Sequence, residues 1–390
     1  MALIQRLSPI TDRLAHILSA SRARRTLESK WAIGKPVLAI FFGGLASDLY
    51  QVQQWLPVFE EFQDELPTII LMKDATAALK LARTSRLPIR LAGSADAIEP
   101  LASQWDLRAM FYVNNNLANF SVLRLASFKH IHLSHGESEK ASMTSNQLKA
   151  YDYCFVAGQA SADRIMSALP LFERSHLKLV GRPQLEHLVT ARPFPAAFGR
   201  KSVLYAPTWE GDRPAMAYSS VADAGEAWIT ELLADDSIRV IYRPHPKTGT
   251  RDACARAADQ RIRGAIESAV KAQPEAGHLV DTGMDCNPAM ISADVAIFDM
   301  SAMAMDFSVL DRPYFVSVPA AREDALTVSE LWKVARPLRI SEPQPLALVL
   351  SAAIEQGPLG GSKAFIMKHF GEVAATPGIT RFRAAIQTAI

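Results

Sequence analysis

From residue 37 onward the chain alternates short, near-continuous apolar runs with stretches of helical character. The runs are PVLAIFF (37–43), PTIILM (67–72), PIRLA (88–92), AMFYV (109–113), HIHLS (130–134), YDYCFVAG (151–158) and HLKLV (176–180). Runs that are apolar throughout, rather than at alternate positions, predict strands buried on both faces of a parallel sheet, and their spacing is that of βαβ crossovers. The stretch GRPQLEHLVTARPFPAAFGRK (181–201) breaks this rhythm with Pro183, Pro193 and Pro195 and reads as an interdomain linker. A second series follows in SVLYAPTW (202–209), RVIYRPHP (239–246), HLV (278–280), DVAIFD (294–299) and PYFVSV (313–318).

The pattern predicts an α/β protein of two Rossmann-like, doubly wound domains. A GT-B arrangement with a cleft between them is the economical reading, and 390 residues exceed one ordinary core. The expected divisions are an amino-terminal domain over 31–190, a carboxy-terminal domain over 191–365, and a final helical segment over 366–390 that packs back on the amino-terminal domain. Residues 1–30 carry Leu3, Leu7, Ile10, Leu14 and Ile17 at helical spacing, with Arg6, Arg13, Arg22, Arg24, Arg25 and Lys30 against Asp12 and Glu28. Such a basic amphipathic stretch suits either an anionic membrane surface or packing on its own domain, and Pro9 interrupts it.

Composition removes several alternatives. A 49% hydrophobic content with 21% charged residues is globular, and 42 basic against 40 acidic side chains leave no field for nucleic acid. Any anion must be met locally. Cys154, Cys254 and Cys286 lack metal-ligand or disulfide-framework spacing, so no metal is expected and a reducing, cytoplasmic setting fits. No run reaches bilayer-spanning length and no signal-peptide core is evident, so the expectation is a cytoplasmic protein, with contact at the inner membrane face through residues 1–30 as its one membrane option.

In open parallel sheets ligands sit beyond the carboxyl ends of strands, so residues just after the apolar runs carry the candidate chemistry. His135, Gly136, Glu137 and Lys140 follow HIHLS: an imidazole for proton transfer and an ammonium for a phosphate, or else a plain loop. Arg243, His245 and Lys247 follow RVIY, with Pro244 and Pro246 stiffening the backbone, as an anion site or a rigid turn with solvated charges. Ser301 stands where a helix begins after DVAIFD, as a phosphate contact or an ordinary cap, and Asp306, a turn further on, can meet ribose hydroxyls. Thr208 and Trp209 lie in the loop after SVLYA, and Asn114, with Asn115 and Asn116, follows AMFYV, where it can bond an acceptor's hydroxyls or simply make a turn. Gly43 and Gly44 lack the GxGxxG spacing, and no P-loop, HExxH or GxSxG motif is present.

Taken in order, YAPTWEGD, YRPHP and ADVAIFDMSAMAMDFSVLDRPYF resemble the YAPTWR-type loop, HP motif and DYSSxxFD-type segment of the CDP-glycerol glycerophosphotransferase family. The match covers roughly residues 130–320, and HGESEK (135–140) corresponds to that family's HGTxxK motif. The resemblance implies a GT-B fold, a CDP-glycerol donor, and transfer of glycerol phosphate to a hydroxyl of a wall polymer, glycan or lipid-linked precursor with release of CMP. His135 would be the general base and His245 would contact the diphosphate or assist departure. Ser301 would bind phosphate, Asp306 would lie near the nucleotide, and no cofactor would be needed. Glu137 replaces the motif's Thr, Ala302 the second Ser and Met300 the Tyr. A carboxylate beside the base would repel phosphate, or orient a sugar acceptor, or raise a neighbouring imidazole's basicity. A nucleotide-sugar glycosyltransferase or epimerase of the same architecture, and a non-catalytic nucleotide-binding protein of envelope synthesis, are the competing readings.

Overall fold

A computed structural model describes residues 25–27, 35–197, 199–319, 329–342, 344–371 and 377–390. The expected amphipathic stretch at 1–30 lies outside these apart from 25–27, where Leu27 is buried in the amino-terminal core. Among the described residues no helix is long and apolar enough to cross a membrane.

Two parallel sheets organise the chain. The first contains β1 (Leu38–Phe42), β2 (Thr68–Met72), β3 (Ile89–Leu91), β4 (Ala109–Tyr112), β5 (Lys129–His132), β6 (Tyr153–Val156) and β7 (Leu177–Leu179), in the order β3-β2-β1-β4-β5-β6-β7. The second contains β8 (Lys201–Ala206), β9 (Ile238–Tyr242), β10 (Leu279–Val280), β11 (Val295–Phe298), β12 (Tyr314–Val318) and β13 (Arg336–Arg339), in the order β10-β9-β8-β11-β12-β13. All twelve expected runs form strands. β13 was not expected, because RPLR offers one buried apolar side chain, Leu338, and joins the sheet only by lying parallel against Phe315–Val318 at its edge. Within the expected linker, Gln184–Val189 forms a short helix with Leu185 and Leu188 buried.

Double-sided burial explains the unbroken apolar runs. Leu38, Ile40 and Phe42 of β1 point into one core layer, and Ala39 and Phe41 into the layer on the opposite face. In β8, Val203 and Tyr205 enter one layer while Leu204 and Ala206 enter the other. This is the two-residue period of a strand, with both faces covered. Each sheet reverses its strand order once, between β1 and β4 (Leu38 opposite Ala109) and between β8 and β11 (Val203 opposite Val295). A reversal leaves adjacent crossovers diverging to opposite faces, opening a crevice at the strands' carboxyl ends.

The chain ends on the lobe where it began. The helix Ser362–Phe370 contributes Phe365 and Phe370 to the second lobe's core, whereas the helix Gly378–Ala389 sends Phe382 and Ile386 into the first. Phe382 is fully buried, with ring centroids 5.3 Å from Trp55, 5.5 Å from Phe59 and 5.9 Å from Phe155. Truncation there leaves a cavity that neighbouring aromatic rings cannot collapse to fill. Phe382→Ala is expected to cost about 3–5 kcal/mol in urea unfolding of the full chain, while exposed Gln387→Ala changes stability by less than about 0.5 kcal/mol.

Candidate active site

The loops beyond β1, β4 and β5 meet those beyond β8, β9 and β11. His135 enters from the first lobe on a constrained backbone: Ser134, the residue before it, adopts φ 61°, a conformation that non-glycine residues rarely hold. Two hydrogen bonds keep it there. The Trp55 indole N–H donates to the Ser134 carbonyl at 2.8 Å, and the Ser134 hydroxyl donates to the Gly136 carbonyl at 3.2 Å. Gly136 then passes so close to the second lobe that a Cβ placed on it would lie 2.6 Å from the Ala302 Cβ. Any side chain at position 136 would push the lobes apart.

Tyr50, from the segment after β1, stands between the two histidines. Its ring meets His135 edge-on at 5.7 Å between centroids and His245 at 4.9 Å. Trp209 stacks on the other side of His245 at 6.2 Å and 20°. The Lys247 amide donates to His245 Nδ1 at 3.1 Å, which leaves the ring proton of the neutral imidazole on Nε2. The Lys247 ammonium lies 4.6 Å from the Trp209 ring centroid and 2.9 Å from Asp48 Oδ1, across the cleft. Lys140 likewise crosses between lobes, donating to Thr208 Oγ1 at 3.3 Å.

Burial and this gathering of cations act together. Burial first, then Arg182 and Lys140, hold the His135 imidazole down to about 4 despite a hydrogen bond with the Val113 backbone. Burial first, then Lys140, His135 and Lys247, hold His245 down to about 3. Burial brings Lys140 down to about 8, opposed by Asp299. At neutral pH the cleft therefore presents two neutral imidazoles among lysine ammonium groups.

Asp299, fully buried at the end of β11, holds the loops of the second lobe. It accepts from the Thr208 amide at 2.7 Å, the Ser220 amide at 3.2 Å and the Ser317 hydroxyl. Asn114 is buried, donating to Gln51 Oε1 at 2.7 Å and accepting from the Asn116 amide at 3.1 Å. Ser301 caps the six-residue helix Ala302–Phe307, accepting from the Ala304 amide at 3.4 Å.

Three side chains differ from the expectations drawn for them. Glu137 is buried in the first lobe, where it receives the Ser161 hydroxyl at 2.7 Å and pairs with Arg164, so the carboxylate beside the base is offset by a guanidinium. Asp306 engages both carboxylate oxygens with Arg182, at 3.0 and 2.8 Å, in a buried pair whose first role is to hold the lobes together rather than to meet a ribose. Arg243 pairs with Asp281 and donates to the Gly283 carbonyl at 2.8 Å, so it braces the loop that carries His245. Sequence reasoning passed over Asp48, Tyr50, Arg182 and Asp299. Asp299 and Arg182 stand one and three residues past the ends of β11 and β7, where the strand-end rule would have found them, whereas Asp48 and Tyr50 lie six and eight residues past β1.

The chain matches the family model described as CDP-glycerol:poly(glycerophosphate) glycerophosphotransferase over residues 101–325, well over half its length. No curated protein sequence matches it. Its structure is similar to that of the wall teichoic acid polymerase TagF, including TagF soaked with CDPG, at 14% identity, with 98% of this chain and 97% of that one covered and a TM-score of 0.57. It is also similar to a putative UDP-N-acetylglucosamine 2-epimerase from Listeria monocytogenes (9% identity, 90% and 96% covered, TM-score 0.56) and to S. aureus MnaA with UDP (10%, 92% and 98%, 0.54). These likenesses carry the GT-B fold and no more. The family match, which spans His135, His245 and the loops of the second lobe, identifies the chain: it belongs to the CDP-glycerol:poly(glycerophosphate) glycerophosphotransferase family.

Proposed function

We propose that this protein transfers glycerol phosphate, or a closely related polyol phosphate, from a CDP-activated donor to a hydroxyl of a wall polymer, glycan or lipid-linked precursor, releasing CMP. The observation that carries the reading is the pair of neutral imidazoles, His135 and His245, facing one another across Tyr50 from opposite lobes within a lysine-lined cleft. A displacement at phosphorus needs a base on one side of the transferred group and proton or charge stabilisation on the other.

The division of labour follows from hydrogen bonding. With its other ring nitrogen turned to the Val113 carbonyl, His135 keeps Nδ1, which has no partner among the described residues, for the acceptor's hydroxyl proton. The hydroxyl oxygen attacks the phosphorus that bears glycerol. That phosphorus parts from its bridging oxygen, and the electron pair leaves with CMP. His245 holds its Nε2 proton toward the diphosphate, while Lys140 and Lys247 offset the negative charge. Thr208 and the Ser301 hydroxyl complete the donor side, and Asn114 and Gly136 the acceptor side. Metal dependence is expected to be weak, because ammonium groups already meet the diphosphate.

CMP release from CDP-glycerol, with CDP-ribitol and UDP-sugars as comparisons and a lipid-linked or glycan acceptor present, tests the reading. His135→Ala is expected to lower kcat by about 10²–10⁴-fold, with His245→Ala lowering kcat and raising KM for the donor. Release of UDP from a UDP-sugar, with no CMP from any CDP-polyol, would refute the chemistry.

The close approach at Gly136 gives a second test. Gly136→Ala should lower kcat/KM by about 10²-fold through displacement of His135, and Ala302→Gly in the same chain should recover most of that loss by removing the opposing Cβ. A loss unaffected by Ala302→Gly would count against the interlobe contact.

The pH dependence has a determined sign. Since His135 sits near 4 before the donor binds, kcat/KM should hold as pH falls through the ordinary histidine range and decline only toward pH 4. Bound diphosphate adds negative charge that favours the imidazolium, so the acidic limb of kcat should lie at higher pH than that of kcat/KM. Coincident limbs would show that donor charge does not reach the base.

A further inference from the structure

Lys247 is the donor-side ammonium that reaches furthest toward the first lobe, and its partner there is a carboxylate. Asp48 Oδ1 accepts from it at 2.9 Å, while Asp48 Oδ2 accepts from the Leu45 amide at 3.1 Å, an arrangement that fixes the carboxylate in the turn after β1. Both side chains are partly open to solvent, at 24% and 18% of full exposure. Neither is held by the buried network that immobilises Arg182 with Asp306. The lysine also retains a second favourable surface, the face of Trp209 at 4.6 Å, if the carboxylate is withdrawn.

A carboxylate oxygen and a phosphate oxygen are equivalent acceptors for an ammonium, and the diphosphate brings more charge. From this geometry we propose that Asp48 is a built-in competitor for the donor's diphosphate: it holds Lys247 across the cleft, and the donor gains that lysine only by displacing it. The inference rests on the donor reading above and adds to it a determinant of donor affinity contributed by the acceptor-side lobe, from a segment that precedes the matched family region. The pair also ties the segment that carries Tyr50 to the loop that carries His245. Displacement of Asp48 by a donor thus releases one interlobe contact next to both imidazoles.

An ion pair partly open to solvent contributes modestly, so the competition is modest. Asp48→Asn, which keeps the shape and the contact with the Leu45 amide but removes the charge, should tighten binding of CDP-glycerol by about three- to fivefold in calorimetry on the full chain. Inorganic diphosphate, as a second probe, should gain similarly. In the Lys247→Met background, Asp48→Asn should give a markedly smaller gain with either probe, because the contested cation is gone. Equal CDP-glycerol affinity in wild type and Asp48→Asn, or weaker binding in the variant, would overturn the competitor role while leaving the donor reading intact. Tighter diphosphate binding in Asp48→Asn, lost in the Lys247→Met background, with no binding of CDP-glycerol to any variant, would support the competition and refute the donor. An equal gain in both backgrounds would overturn it in favour of a general field effect.

Discussion

Arg182 leaves the last strand of the amino-terminal sheet, turns at Gly181 and delivers its guanidinium to Asp306 on the helix that follows β11, with a further bond to Gln54 at 3.0 Å. This buried pair spans the two lobes and sets their relative orientation at one point. Desolvating two charges offsets much of their attraction, so the pair adds little net stability, although removing one partner would cost about 3–5 kcal/mol by stranding the other. Its value is geometric. With the lobes registered there, Gly136 can meet Ala302 at backbone distance, and His135 and His245 can share one face-to-edge spacer, Tyr50.

The same registration concentrates positive charge. Lys140 and Lys247 approach the imidazoles, and Arg182 lies close enough to depress His135, so the histidines stay neutral in a strongly cationic cleft. Oriented, partly dehydrated cations of this kind need no rearrangement when charge develops on a phosphoryl group. An anion bound among them would relieve their mutual repulsion and make the imidazoles more basic. Asp299 and Asp281 act one layer behind, holding the loops that carry Thr208 and His245.

The fold was legible because each strand is covered on both faces and so carries an unbroken apolar run. β13 escaped because an edge strand with Leu338 as its buried apolar residue has no such run. The positions of His135, His245, Lys140, Lys247 and Thr208 were legible because the strand-end rule requires only the run and the residue after it. Partners were not. Asp306 stands 124 residues from Arg182 in sequence, and Asp48 stands 199 from Lys247, so no local spacing betrays either contact. Direction within an irregular loop was equally hidden: nothing in HGESEK says that Glu137 faces inward while Lys140 faces the cleft.

That direction bears on how far the departures from the family motif alter the chemistry. A carboxylate at position 137 opposes phosphate binding only if its charge reaches the cleft, and here Arg164 and the Ser161 hydroxyl absorb it inside the first lobe. The guanidinium and the carboxylate stand together as a substitute for an uncharged residue at that position. Ala302 follows a similar logic. It lies where Gly136 passes closest, 2.6 Å from where a Cβ on the glycine would stand. Glu137 thus serves loop support and Ala302 lies at the lobe contact, while the imidazoles of His135 and His245 still meet across Tyr50.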